Sequence, residues 1–277
     1  MKDTPPLSNK RGIETEDAPR KFVTYSLQEN KEKKLNEANA KLSSRARILA
    51  SKLSPIEQAL FNIPIERWGQ LDRHTLKGYH CAVPHPITLN NLTPVDKSDP
   101  ILQRIALYKG PVINLQLDAI VNAANNRCLG GGGVDGAIHT AAGPLLLREC
   151  ATFHGCATGQ CRLTKGYQLP AKYVLHTVGP IGEKPEQLRS CYRTVLSLAR
   201  CNGLRSVGFC CVGTGVYGYP LLPATRIALA ETMRFLSENT DAMDLCCFAC
   251  FRDEEYNAYV SNIRDVLKNV LSKTSNT

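Results

Sequence analysis

No stretch of this 277-residue sequence is apolar for long enough to cross a membrane. The first twenty residues are polar, with prolines and acids, and lack the apolar core of a secretory signal. Glu14, Glu16 and Asp17 also weigh against a mitochondrial leader, although basic residues nearby keep that address open. The glycine loops are followed by no Gly-Lys-Ser/Thr ending. Nor is there a strand–GxGxxG–helix unit with a ribose-binding acid about 20 residues on, so both common phosphate motifs are excluded. Cys247-Phe-Ala-Cys250 has metal-site spacing but no second pair and no nearby histidine, which excludes zinc there. A net charge of +9 suits a polyanionic ligand, yet no nucleic-acid-binding motif accompanies it, so nucleic acid is not the expected partner.

Hydrophobic content of 43% supports a real core. Many of the 12 cysteines fall inside apolar runs (Cys210, Cys211, Cys246, Cys247, Cys250), where a reduced thiol behaves as a small hydrophobe. This usage predicts a reducing compartment, cytoplasm or nucleus. The chain divides into an extension over 1–100 and a main domain over 101–273. Residues 1–27 read as disordered. Residues 29–52 read as an amphipathic helix with Leu35, Ala38 and Leu42 on one face and a solvated, lysine-rich other face. Ser54-Pro55-Ile56-Glu57 carries a helix-start signature, and Trp68 anchors a connecting segment. Residues 75–100, rich in proline, read as an irregular loop.

From Leu102 strands alternate with helices. Strands are predicted at 105–108, 117–121, 172–178, 206–212 and 245–251. Helices are predicted at 134–142, 145–150, 187–200, 223–238 and 254–271, with Gly203 as a C-terminal cap. The pattern predicts an α/β fold, a three-layer α/β/α sandwich around a mixed, largely parallel sheet. Ligands of such sheets bind beyond the carboxyl ends of the strands.

Residues 118–143 organise the rest. An apolar strand runs into Asn122 and Asn125, then four glycines (130–133), then a helix with Asp135 in its first turn. Glycines let backbone N–H groups approach a ligand, and a helix N-terminus favours phosphate. As a mere connection, four glycines would cost needless entropy on folding. A carboxylate in an anion-binding loop must serve another purpose, such as positioning a water or a sugar hydroxyl. His139 lies one helical turn beyond Asp135, at the spacing of an i,i+4 partner that holds the carboxylate. His176, inside an apolar strand, reads as a satisfied core histidine.

Asn-Ala-Ala-Asn (122–125), Gly-Gly-Gly-Gly-Val-Asp-Gly (130–136), Leu-Pro-Ala-Lys-Tyr-Val-Leu-His-Thr-Val-Gly-Pro (169–180) and Gly-Thr-Gly-Val-Tyr-Gly-Tyr-Pro (213–220) resemble, in order, the signatures of the macrodomain family and its MacroD-type branch. The resemblance covers roughly 102–267. It implies an ADP-ribose site made by Val112, Asn122, Gly131, Gly132, Gly133, Val134, Gly213, Thr214, Gly215, Val216, Tyr217 and Phe251, with Asn122 tying the loop backbone and Phe251 stacking on adenine. It implies catalysis by Asp135 and Asn125, with Asn125 orienting the distal ribose; His139 joins the catalytic set on its helical spacing alone. The implied activity is hydrolysis, without metal or cofactor, of mono-ADP-ribose from acidic protein side chains and of O-acetyl-ADP-ribose, by a monomer. Whether Asp135 or the substrate's own phosphate activates the water is left open by the residues. A reader that binds ADP-ribose without turnover is the alternative.

Two positions depart from the family pattern. Pro111 stands where an Asp usually accepts from the adenine amino group, a loss of roughly 1.5–3 kcal/mol for a hydrogen bond to a charged group. The backbone N–H of Val112 remains to meet the ring. Gly213 stands where the branch usually has Ser.

Overall fold

The computed structural model describes residues 83–274. The expectations for 1–27, 29–52, Ser54 and Trp68 lie outside these residues. Among the described residues the elements run β1 (Ile87–Thr88), β2 (Ile105–Lys109), β3 (Leu115–Gln116), β4 (Ala119–Ala123), α1 (Gly133–Ala142), α2 (Pro144–Ala151), β5 (Cys161–Lys165), β6 (Tyr173–Thr177), α3 (Pro185–Cys201), β7 (Ser206–Phe209), α4 (Leu221–Glu238), β8 (Leu245–Cys250) and α5 (Asp253–Thr274). A six-stranded sheet has the order β2-β8-β7-β4-β6-β5. All its pairs are parallel except β5 with β6. β1 and β3 form a separate parallel pair.

Central strands buried on both faces need continuous apolar sequence. β8, Leu-Cys-Cys-Phe-Ala-Cys, and β7, Ser-Val-Gly-Phe, are buried at every position. Gly208 in β7 is required by packing, because a Cβ there would fall 2.6 Å from Leu115 Cδ1. One face of the sheet carries α3, α4 and α5. An aromatic ladder locks this layer: Tyr192 of α3, Phe209, Phe248 and Tyr259 of α5 follow one another with ring centroids 5.6, 5.4 and 4.6 Å apart. Glu231 of α4, buried, is held by Arg189 and Arg193 of α3 at 2.9 and 2.8 Å. α1 and α2 pack together and supply Ile138, Leu145 and Leu146 to the core.

The sandwich and its mixed sheet agree with the sequence reading, with four differences, the first that the strand expected over 206–212 ends at Phe209. The edge strand β5, Cys-Arg-Leu-Thr-Lys, is not foreseen, because an edge strand need not be continuously apolar. The expected strand over 117–121 is displaced: β4 begins at Ala119 and continues through Asn122 and Ala123. Ile87–Thr88 form a short strand within the stretch read as irregular. Gly203 has φ +67° and its N–H donates to Arg200 O at 3.0 Å, the left-handed cap expected of it.

Candidate active site

The loops after β4, β7 and β8 leave three adjacent parallel strands at their carboxyl ends. The first is braced by Asn125. Its Oδ1 accepts from Arg127 N at 3.0 Å, and its Nδ2 donates to Gly130 O at 3.0 Å. Gly130 and Gly133 have φ of +77° and +59°, which a side chain would strain. Gly131 is needed for another reason: a Cβ there would lie 3.0 Å from Asp135 Oδ2 and 3.1 Å from Asn125 Nδ2. A Cβ on Gly136 would lie 2.6 Å from Gly131 O, so the first turn of α1 sits hard against the loop. Cβ atoms on Gly132 or Gly133 would meet nothing within 4 Å, and here the loop is open to a ligand. Gly132 is the N-cap of α1 and provides no side-chain cap, so the first-turn N–H groups face that opening uncapped, next to Val134.

Asp135, in the third position of α1, is 3% exposed. Asn122 Nδ2 donates to its Oδ1 at 2.8 Å, and Asn125 Nδ2 lies 3.4 Å from its Oδ2. Burial raises the Asp135 pKa above the ordinary carboxylate value, against the opposing pull of the Asn122 bond and of His139. His139 Nε2 lies 3.5 Å from Asp135 Oδ1 but makes no hydrogen bond. Burial lowers the His139 pKa, so a neutral imidazole rests against the carboxylate.

The structure divides the two asparagines differently from the sequence reading. Asn122 is wholly buried and donates to Asp135, while Asn125 ties the loop backbone and also reaches Asp135 Oδ2 at 3.4 Å. The parallel register of β4 and β6 places Asn122 opposite His176, and Asn122 Nδ2 also lies 3.0 Å from His176 Nδ1. An amide N–H directed at that nitrogen makes it the acceptor, which leaves the His176 proton on Nε2, 2.9 Å from Thr164 Oγ1. His176 is buried and neutral, its pKa lowered to about 3 by desolvation, as befits a satisfied core histidine. It is also the support behind Asn122, a role for which sequence spacing carries no signal.

In the second loop Gly213 and Gly218 have φ of +81° and +68°. Tyr219 N donates to Gly213 O, Gly218 N to Gly215 O, and Thr214 Oγ1 to Cys211 O, at 3.0, 2.9 and 3.1 Å. Gly182 N donates to Tyr217 O at 2.7 Å, tying this loop to the one after β6. Val216 stands in solvent. The Tyr217 pKa is raised by burial and then by the negative charge of Asp135.

Phe251 follows β8 directly and is 75% exposed, so it is no core residue. Glu255 Oε2 accepts from Phe251 N and Arg252 N at 2.8 and 3.2 Å, fixing the backbone beneath the exposed ring. Lys109 pairs with Cys250, so the Pro111–Val112 turn leaves the sheet beside Phe251. Val112 is buried in a 3₁₀ turn (Val112–Asn114). A cavity of about 580 Å³, not foreseen from sequence, lies between that turn and α1, lined among others by Ile113, Asn114, Ala137 and Thr140. Cys247 and Cys250 are three apart on one strand and face opposite sides of the sheet, so they cannot share a ligand.

The Macro domain family model matches residues 121–228. The chain is 46% identical over 171 residues to the ADP-ribose glycohydrolase MACROD2 of Xenopus laevis, a match spanning 60% of this chain and 41% of that one. It is 49% identical over 154 residues to a macro domain-containing protein of Methanosarcina mazei, spanning 53% of this chain and 82% of that one. Among solved structures, the Trypanosoma brucei macrodomain in complex with ADP-ribose superposes with a TM-score of 0.71 at 68% identity, covering 79% of this chain and 95% of that one. The chain spans about two fifths of the length of the MACROD2 relative. With the sheet order, both glycine loops and the Asp135 helix in place, the chain belongs to the macrodomain family.

Proposed function

We propose that this chain is a hydrolase of ADP-ribose esters, acting on mono-ADP-ribosylated acidic side chains of proteins and on O-acetyl-ADP-ribose. The observation that carries the reading is Asp135: a buried carboxylate of raised pKa, held by Asn122, at the mouth between two glycine loops. The diphosphate is cradled by the backbone of 131–134 and 213–217, where glycine N–H groups and the uncapped start of α1 favour negative charge. Tyr217 packs on the distal ribose, and Phe251 and the Val112 backbone take the adenine. Asn122 holds Asp135 Oδ1 at 2.8 Å, and Oδ2, with only the long 3.4 Å contact to Asn125, has the lone pair that accepts a proton from water. Water adds to the ester, the bond to the ribose oxygen breaks, and the products are the free acid and ADP-ribose. A raised pKa makes the carboxylate a better base, and general-base catalysis of this kind contributes about 10²- to 10⁴-fold in rate.

Kinship with proteins named ADP-ribose glycohydrolases and with a macrodomain solved with ADP-ribose supports the substrate class. A non-catalytic reader would need the loops alone. A buried carboxylate beside an anion site costs a reader affinity without return. All eleven cysteines among the described residues are free, in keeping with a reducing compartment, cytoplasm or nucleus. We place the chain there, as a monomer.

The deciding experiment compares wild type with Asp135→Ala on a glutamate-linked, auto-ADP-ribosylated substrate, with ADP-ribose binding measured in parallel. Wild type should release ADP-ribose, and the variant should bind it with turnover at least 10²-fold lower. Binding without release by wild type, from this substrate and from O-acetyl-ADP-ribose, makes the chain a reader.

A further inference from the structure

We propose that His139, Cys150 and His176 form a site for a thiophilic divalent cation, zinc foremost, directly behind Asp135, and that filling it withdraws Asp135 from the pocket. One ring nitrogen of each histidine and Cys150 Sγ lie within 4.8 Å of one another, delivered by α1, α2 and β6. Cys150 Sγ and His176 Nε2 are 3.7 Å apart. Zn–N and Zn–S bonds of about 2.0–2.1 and 2.3 Å set tetrahedral donors roughly 3.3–3.6 Å apart, so this pair is already close to ligating distance. Asp135 Oδ1, 3.5 Å from His139 Nε2, lies outside this three-donor group and must turn toward it to become a fourth donor. Two imidazoles, a thiolate and a carboxylate suit zinc and reject the hard cations magnesium and calcium.

Packing explains why these side chains are buried. It does not explain two buried polar atoms without partners, His139 Nε2 and Asn122 Oδ1. Both find partners when a cation is bound. Coordination through His176 Nε2 displaces the proton there to Nδ1. Asn122 then turns its amide so that Oδ1 accepts that proton. Asp135 Oδ1 loses its 2.8 Å N–H donor and turns to the metal. The Cys150 thiol proton leaves to solvent, so one proton is released per cation bound. A carboxylate bound to the metal can no longer take a proton from water. The blocking of hydrolysis rests on the function proposed above; the binding site itself does not.

The test uses the full chain, reduced and metal-free, titrated with Co²⁺ as a coloured substitute for zinc and then with Zn²⁺. Cys150→Ala, a small apolar replacement of a buried thiol, is compared with Cys201→Ala at an exposed one. One equivalent should give a thiolate-to-cobalt band with tetrahedral d–d absorption, abolished by zinc, absent in Cys150→Ala and retained in Cys201→Ala. No such band in wild type, or one that survives Cys150→Ala, overturns the proposal. Should Cys150→Ala fail to fold, X-ray absorption of the wild-type zinc form decides: one sulfur and two or more nitrogen or oxygen neighbours are expected, and no sulfur overturns it. One equivalent of zinc should lower hydrolysis at least tenfold in wild type and leave Cys150→Ala unaffected. A filled site with full activity overturns the coupling to Asp135. Absent hydrolysis in the metal-free wild type sinks the hydrolase reading instead, and the cobalt titration still decides the site.

Discussion

Gly136→Ala sets two effects of opposite sign against each other. By helix propensity alone the change should help, since alanine is favoured over glycine inside a helix by about 0.8–1.0 kcal/mol. In a domain of this size that is a rise in Tm of about 2–4 °C. The added Cβ, however, would lie 2.6 Å from Gly131 O, about 0.8 Å short of the 3.4 Å of an ordinary contact. The obstacle is backbone and cannot swing aside. Gly131 sits so near Asp135 Oδ2 and Asn125 Nδ2 that a Cβ on it would lie 3.0 and 3.1 Å from them, so a shift of the loop reaches both groups. Misplacement approaching 1 Å costs on the order of 10²-fold in rate. Gly136→Ala should therefore lower both ADP-ribose affinity and ester turnover, the latter by about 10²-fold, while the domain still folds. Calorimetric titration with ADP-ribose, turnover of the glutamate-linked substrate and a circular dichroism melt read the three quantities together. Full activity with a Tm raised by 2–4 °C would refute the steric reasoning.

Replacing Asp135 by Asn should stabilise the protein at neutral pH. Burial raises the folded-state pKa of Asp135, so its contribution to stability is fully present below the ordinary value of 3.8 and is lost as pH rises through the folded pKa. The Tm gain of the variant should thus shrink to nothing toward pH 4 and below, and a gain independent of pH would contradict this. Asn122→Ala removes an N–H donor to a carboxylate, worth about 1.5–3 kcal/mol, and should lower turnover by roughly 10- to 150-fold. Because that bond favours the ionised form, the acid limb of the pH–rate profile should also move up, and an unmoved limb would show that Asn122 acts otherwise. Phe251→Ala should weaken ADP-ribose binding about five- to 150-fold by loss of base stacking, with stability within about 0.5 kcal/mol because the ring is exposed; equal affinity would remove Phe251 from the site.

Much of the fold could be read locally. β8 is apolar throughout and β7 apolar after Ser206, and the helices over 187–200 and 223–238 carry an apolar stripe, so strands and helices declare themselves within a few residues. β5 could not be read in this way, because its place depends on antiparallel pairing with β6 at the sheet edge. The boundary of β4 shifted for a similar reason. Asn122 looks like the first residue of a loop, but pairing across to His176 holds it in the strand.

The candidate site divides along the same line. The glycine loops, the acid at the start of α1 and the i,i+4 histidine follow from chain-local chemistry: positive φ, orphan N–H groups and helical spacing act within a few residues. The sequence by itself therefore pointed to the two glycine loops and to the carboxylate that stands beside the first of them. How Asn122 comes to hold Asp135, and what places Thr164, Cys150 and His176 behind the carboxylate, were decided only by the tertiary structure. Those contacts join residues up to 54 positions apart through sheet register and layer packing, and register is a property of the assembled sheet that no single segment encodes.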